Sequence, residues 1–263
     1  MKDNLPNAQS YLCGQADEPL LYETIGGCLD RIAAAHPDRP ALVVRHQDIR
    51  WSFAEYKAQI DALATGLLKI GINPGDRVGI WAPNRVEWCL TQFATAKIGA
   101  IMVCINPAYR LYELEYALNK VACKAVITAE SFKTSQYLNM LQSLAPELEQ
   151  CEPGQLQAAK LPHLQSVVRM GTEKSPGMFN FAEVCRMGDA SAAATMAEIA
   201  ATLQPDDAIN IQFTSGTTGN PKGATLSHFN ILNNGLQVGA GMRFSPEDRL
   251  CIPVPLYHCF NLS

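Results

Sequence analysis

Ten consecutive residues, Thr214-Ser215-Gly216-Thr217-Thr218-Gly219-Asn220-Pro221-Lys222-Gly223, gather four hydroxyls, three glycines and one lysine into a single stretch. Glycines let a backbone turn its N–H groups inward and let oxygen atoms come close. Hydroxyls add donors, and Lys222 adds a compact point charge. The set fits the cradling of a polyphosphate. Upstream, Ala208–Phe213 alternate apolar and polar side chains, which predicts a strand. Downstream, Ser227 is placed to cap a helix running through Ile231 and Leu232. The expected arrangement is strand, glycine-rich loop, helix.

Competing readings are weaker on chemical grounds. A flexible linker is rarely followed by a Pro-Lys-Gly stop. A Walker A loop needs Gly-Lys-Ser/Thr in succession, whereas Lys222 lies between Pro221 and Gly223, so a kinase or P-loop NTPase ranks behind. Lys222 as an ordinary surface lysine, and the hydroxyls as local turn caps, remain the plain alternatives. His258 follows Pro253 and Pro255, and on local chemistry a structural turn histidine competes with a functional one. Asn106-Pro107 and Tyr109-Arg110 are expected to shape a loop beyond a strand. His36, His46, His163 and His228 are scattered without metal-ligand spacing or a nucleophilic triad, so no metal ligands are assigned. Asp206-Asp207 reads as a turn.

The positioning elements follow from periodicity. Ser52 and Glu55 form a capping box, and Tyr56, Ile60, Leu63, Leu67 and Ile70 make one helical stripe with Gly71 as a stop. Arg77–Ala82 reads as a strand, Arg85–Lys97 as a helix, Ile101–Ile105 as a buried strand, Leu111–Val121 as a helix and Ala125–Thr128 as a strand. Strands alternating with helices predict an α/β fold, a mainly parallel sheet layered with helices. Phe132–Leu148 is expected to be helical, Gln165–Arg169 a short strand, and Ala190–Ala201 a surface loop or weak helix. Arg249–Val254 reads as a further strand. The divisions expected are an α/β part over 20–130, a helix- and loop-rich connector over 131–204, and a phosphate-loop segment over 205–263.

Composition narrows the function classes. At 263 residues and 48% hydrophobic content the chain can bury a substantial core. With 21 basic against 25 acidic residues and no basic cluster, no nucleic-acid partner is expected. The nine cysteines are scattered, without Cys-x-x-Cys spacing, which favours reduced thiols over disulfides or zinc. Residues 1–6 lack an apolar signal region, and Ile98–Ile105 is too short to span a bilayer. No transmembrane segment and a cytoplasmic location are the expectation.

Phe213–Gly223 resemble the signature of adenylate-forming (AMP-binding) enzymes, the superfamily of acyl-CoA synthetases, luciferases and peptide-synthetase adenylation domains. Arg50–Tyr56, Lys97–Pro107 and Pro255–His258 are similar to further segments of that family, so the resemblance covers about residues 20–260. Asn106-Pro107-Ala108-Tyr109-Arg110 and Tyr257-His258-Cys259 look most like the medium-chain fatty acyl-CoA synthetases. The resemblance implies that ATP, Mg²⁺, a medium-chain fatty acid and CoA are the ligands. It places Thr214, Ser215, Gly216, Thr217, Thr218, Gly219, Lys222 and Gly223 around the β- and γ-phosphates. It sets His258 beside the carboxylate and α-phosphate, with Lys222 and His258 as the catalytic pair. Many relatives carry glycine where this chain has Asn261. The family's Tyr-Gly-x-Thr-Glu stretch, its Thr-Gly-Asp and its small C-terminal domain are not found. The expectation is therefore the N-terminal part of the large adenylation domain, truncated: either a fragment of a ligase or a natural truncated product acting as a nucleotide-binding or interaction module without ligase activity.

Overall fold

A computed structural model describes residues 19–214 and 219–258. In chain order the elements are α1 (Ile25–Ala35), β1 (Pro40–Val44), β2 (Ile49–Ser52), α2 (Phe53–Lys69), β3 (Arg77–Trp81), α3 (Val86–Lys97), β4 (Ile101–Cys104), α4 (Leu111–Lys120) and β5 (Ala125–Thr128). They continue as β6 (Ser131–Phe132), β7 (Ser135–Gln136), α5 (Tyr137–Leu144), β8 (Ser166–Arg169), β9 (Met178–Asn180), α6 (Phe181–Met187), α7 (Ala190–Thr202), β10 (Ala208–Thr214), β11 (Lys222–Ser227) and α8 (His228–Gly241).

Seven strands form the central sheet in the order β11-β10-β4-β3-β5-β8-β9, parallel throughout except for the β10–β11 pair. Its inner strands read as apolar runs because helices cover both faces. From β3 the chain steps one way to β4, then back across β3 to β5. Right-handed crossovers in opposite directions put α3 and α4 on opposite faces. The strand order therefore reverses at the carboxyl ends of β3 and β4, the kind of switch point at which open α/β sheets hold ligands.

α2 forms as its residues dictate. Ser52 Oγ accepts from Glu55 N at 3.2 Å while Glu55 Oε2 accepts from Ser52 N at 2.8 Å, closing the capping box. Tyr56, Ile60, Leu63 and Leu67 are buried against α3 and α6, and Gly71 takes φ 85° just beyond the helix. Lys97, almost fully buried at the end of α3, donates to Asp30 of α1 at 2.6 Å and to Asp61 of α2 at 2.5 Å. Without those two carboxylates a lysine there would be an uncompensated buried charge.

Three expectations are corrected. Phe132–Leu148 is not one helix: the Ser131–Gln136 stretch is a small hairpin with Lys133 at φ 52°, and α5 starts only at Tyr137. Tyr137 turns inward to stack on Trp81 at 3.7 Å, which fixes that helix start. Arg249–Val254 is not a strand, since no described strand pairs with it. Pro253 also removes a ladder donor. Lys222–Ser227 is a strand rather than an approach to the helix, because the open edge of β10 pairs with it from Thr214↔Lys222 to Ala208↔Ser227.

The N-terminal arm is tied to α8. Asn233 brackets Leu21, accepting from its N–H at 2.7 Å and donating to its carbonyl at 2.9 Å. His228, fully buried, accepts from Ile25 N through Nδ1 at 3.2 Å, and burial lowers its pKa to about 4. Between pH 6.5 and 4 the unfolded chain takes a proton that the folded one refuses, so stability falls as pH falls. Stability is expected to drop by about 2 kcal/mol between pH 7 and pH 5 from this group alone. Denaturant unfolding at the two pH values checks it: His228→Asn should flatten the difference, and an unchanged pH slope in that variant would refute the assignment.

Candidate functional site

The described residues of the expected site, Thr214, Gly219, Lys222, Gly223 and His258, lie toward the carboxyl edge of the parallel strands. Thr214 is the last residue of β10, and Lys222 faces it as the first residue of β11. Thr214 Oγ1 donates to the Lys222 carbonyl at 3.4 Å, closing the base of the loop. Ser215, Gly216, Thr217 and Thr218 lie outside the described residues. Gly219 takes φ 130°, a conformation that favours glycine, with open space where a side chain would stand. Gly223 has a packing reason instead: an added β-carbon would sit 3.1 Å from Ile211 Cγ2.

The helix expected directly after the loop begins six residues later, behind the whole of β11. Six strand residues span roughly 20 Å, so the α8 N-terminus contributes no dipole to phosphates at the loop. Anion binding here rests on the loop's own N–H groups, its hydroxyls and Lys222. Lys222 is exposed, and it forms no ion pair with a described residue.

Several positioning groups escaped sequence reasoning. Beneath the loop, Asn210 and Gln212 share a face of β10 with Thr214 and are almost completely buried. Gln212 Nε2 donates to Cys104 Sγ at 2.9 Å and to Asn210 Oδ1 at 3.1 Å, bridging β10 to β4. Burial pushes the Cys104 thiol up to about 12, so it stays a neutral packing group rather than a nucleophile. On the exit side, α4 reaches the loop with two tyrosines one turn apart. Tyr112 OH donates to Asn220 Oδ1 at 3.3 Å, and Tyr116 OH donates to the Pro221 carbonyl at 3.2 Å. The i, i+4 spacing of two tyrosines was the available signal, but it is shared by many amphipathic helices.

Beyond β4 the expected Asn106–Arg110 loop is present and held from both sides. Trp81 Nε1 donates to the Asn106 carbonyl at 3.2 Å, and Tyr137 OH donates to the Pro107 carbonyl at 2.6 Å. Asn106 Oδ1 accepts from Ala108 N at 2.9 Å. Beyond β3, Asn84 reaches the segment carrying His258: its Nδ2 donates to the Val254 carbonyl at 2.8 Å and its Oδ1 accepts from Leu256 N at 2.7 Å. His258 itself is exposed after a turn in which its N–H donates to the Pro255 carbonyl at 3.0 Å. The loops after β3 and β4, the described ends of the loop after β10 and the His258 turn thus lie at one edge of the sheet. The Asp206-Asp207 pair is the expected turn, with Asp207 Oδ2 accepting from Gln204 N at 2.7 Å.

Among the described residues, no three His, Cys, Asp or Glu side chains stand close enough to hold a metal ion. The described cysteines are free thiols. No described helix is long and apolar enough to cross a membrane.

Over 257 residues the chain is 47% identical to the medium-chain acyl-CoA ligase ACSF2, mitochondrial, of Bos taurus, covering 96% of this chain and 42% of that protein. The ligase of the same name from Danio rerio is 44% identical over 265 residues, covering 98% of this chain and 44% of that one. The chain therefore spans less than half the length of these curated relatives. Among solved structures, a Mycobacterium tuberculosis fatty acyl CoA synthetase matches with a TM-score of 0.72 and 25% identity, covering 91% of this chain and 41% of the other. The sequence profile of the AMP-binding enzymes matches residues 29–263, and the chain belongs to that family.

Proposed function

We propose that this chain is part of a fatty acid–CoA ligase. Its reaction joins a carboxylate to ATP and then hands the acyl group to CoA. In the first step a carboxylate oxygen attacks the α-phosphorus, the new acyl O–P bond forms, and the bond to the β-phosphate breaks with its electron pair leaving on pyrophosphate. In the second, the CoA thiol loses its proton and its sulfur displaces AMP from the acyl carbon. The observation that carries this reading is the Thr214–Lys222 hairpin mouth standing at the same sheet edge as the His258 turn, in a member of the AMP-binding family.

In this reading Thr214, Ser215, Gly216, Thr217, Thr218, Gly219 and Gly223 surround the β- and γ-phosphates, and Lys222 offsets charge that grows on the departing pyrophosphate. His258 stands by the carboxylate and α-phosphate as a positioning and charge-stabilising group. A general base is not required, because a fatty-acid carboxylate is already ionised at pH 7. Mg²⁺ travels with ATP and is held largely by phosphate oxygens and water. The described residues offer no carboxylate cluster to hold it, so it is assigned no residue and no step here. The relatives' printed name supports a medium-chain acid. The single sheet drawing strands from 20–130, 131–204 and 205–263 supports treating these as parts of one adenylation-domain portion. Free thiols suit a reducing compartment: the cytoplasm, or equally the mitochondrion that the Bos taurus relative's name gives for that protein.

The test is carboxylate-dependent ATP–pyrophosphate exchange by the full-length protein across fatty acids of increasing length. Exchange fastest with medium-chain acids is expected. Nucleotide binding without exchange for any carboxylate would instead favour a binding module without ligase activity.

A further inference from the structure

The segment bearing His258 is not a ladder strand, and Pro253 and Pro255 cannot donate backbone hydrogen bonds. Its placement needs side chains from elsewhere. Asn84 supplies a two-point contact, its amide donating to the carbonyl just before Pro255 and accepting from the N–H just after it. A primary amide is the smallest side chain that offers a donor and an acceptor side by side, the pattern a neighbouring strand would present. Both contacts are short, and both bridge more than 160 residues of sequence. From the bracketed Pro255 the chain turns directly into His258, whose N–H closes the turn on the Pro255 carbonyl. At its other end Asn84 follows Trp81 and Ala82, which are buried at the close of a central strand. The amide thus connects the rigid middle of the sheet to the exposed histidine turn.

We infer that Asn84 is a positioning residue for the adenylation step, fixing the Pro255 turn so that His258 meets the reacting carboxylate and α-phosphate. The inference rests on the ligase reading, and Asn84 touches no substrate itself. Asn84→Ala removes both contacts. Asn84→Asp is nearly isosteric: it keeps an acceptor for Leu256 N–H but turns an oxygen toward the Val254 carbonyl.

Two measurements on the full-length protein separate the possibilities. Amide hydrogen exchange at Leu256 is expected to quicken at least tenfold in Asn84→Ala, whatever the catalytic outcome. In carboxylate-dependent pyrophosphate exchange, Asn84→Ala and Asn84→Asp are each expected to lower kcat about tenfold while the KM for ATP stays within about twofold, as a misplaced group rather than a lost binding contact would. If Asn84 acts through His258, adding Asn84→Ala to His258→Ala should slow the reaction no further. Asn84→Asp provides the fallback: should Asn84→Ala not fold, the same cycle is run with Asn84→Asp. Additive losses, an unchanged kcat, or an unchanged Leu256 exchange rate would each overturn the inference while leaving the ligase reading in place. Absence of exchange by the unaltered protein with every carboxylate would overturn the ligase reading itself, and the role given to His258 with it.

Discussion

Lys222→Ala in the full-length protein is expected to slow carboxylate-dependent pyrophosphate exchange by about 10²–10³, the range seen when one preorganised charge-stabilising donor is removed. The reason is differential. Negative charge grows on the oxygen between the α- and β-phosphates as that bond breaks, so an ammonium there is worth more in the transition state than in the ground state. Lys222 sits at the mouth of the hairpin, opposite Thr214 in register, and its backbone is fixed by the β10–β11 ladder while its side chain is exposed. With no described ion pair to lose, the substitution should change folding stability by no more than about 0.5 kcal/mol. A fall in rate at constant stability would then be catalytic rather than structural. Lys222→Arg tests the geometry: it keeps the charge but spreads it over a planar fork, so recovery should be partial. An unchanged exchange rate in Lys222→Ala would remove the loop from the mechanism.

The contrast between what the sequence disclosed and what it hid follows from contact range. α2 was legible because its determinants are local: Ser52 and Glu55 three residues apart, then an apolar stripe at helical spacing. β3, β4 and β5 were legible because strands covered on both faces read as apolar runs. The loop stood out as a candidate because its hydroxyls, glycines and lysine are concentrated in ten adjacent residues. The errors lie where distant partners decide. β11 exists because β10 has an open edge, and Arg249–Val254 fails as a strand because no described edge receives it. Tyr137 breaks the expected long helix because Trp81, far away in sequence, offers it a stacking face. Asn84 carries no local mark and the i, i+4 spacing of Tyr112 and Tyr116 is common to many helices, since each meets its partner more than 100 residues away.

Gly66 makes the same point energetically. An α-helix interior ordinarily prefers alanine to glycine by about 1 kcal/mol, and α2 would gain that amount from Gly66→Ala in isolation. In the folded protein the added β-carbon would stand 1.9 Å from the Val184 carbonyl oxygen and 2.7 Å from its carbon. These are backbone atoms of α6, not the tip of a flexible side chain. α6 cannot simply back away, because Val184 is fully buried and Gly188 just beyond it lies equally close to α2, where its own β-carbon would meet Thr65 Oγ1 at 2.1 Å. Overpacking therefore outweighs propensity, and a net loss of about 3 kcal/mol is expected, near the upper end for such changes. For a domain of this size that is a fall in Tm of about 10 °C. Gly239→Ala is the matched control. It too lies within a helix, α8, but its nearest neighbour would be Phe244 Cδ2 at 3.9 Å, an ordinary contact. The same chemical change there should stabilise by up to about 1 kcal/mol. Thermal unfolding of the two variants side by side decides the matter: a Gly66→Ala protein as stable as the unaltered one would mean that α2 and α6 are not packed backbone to backbone.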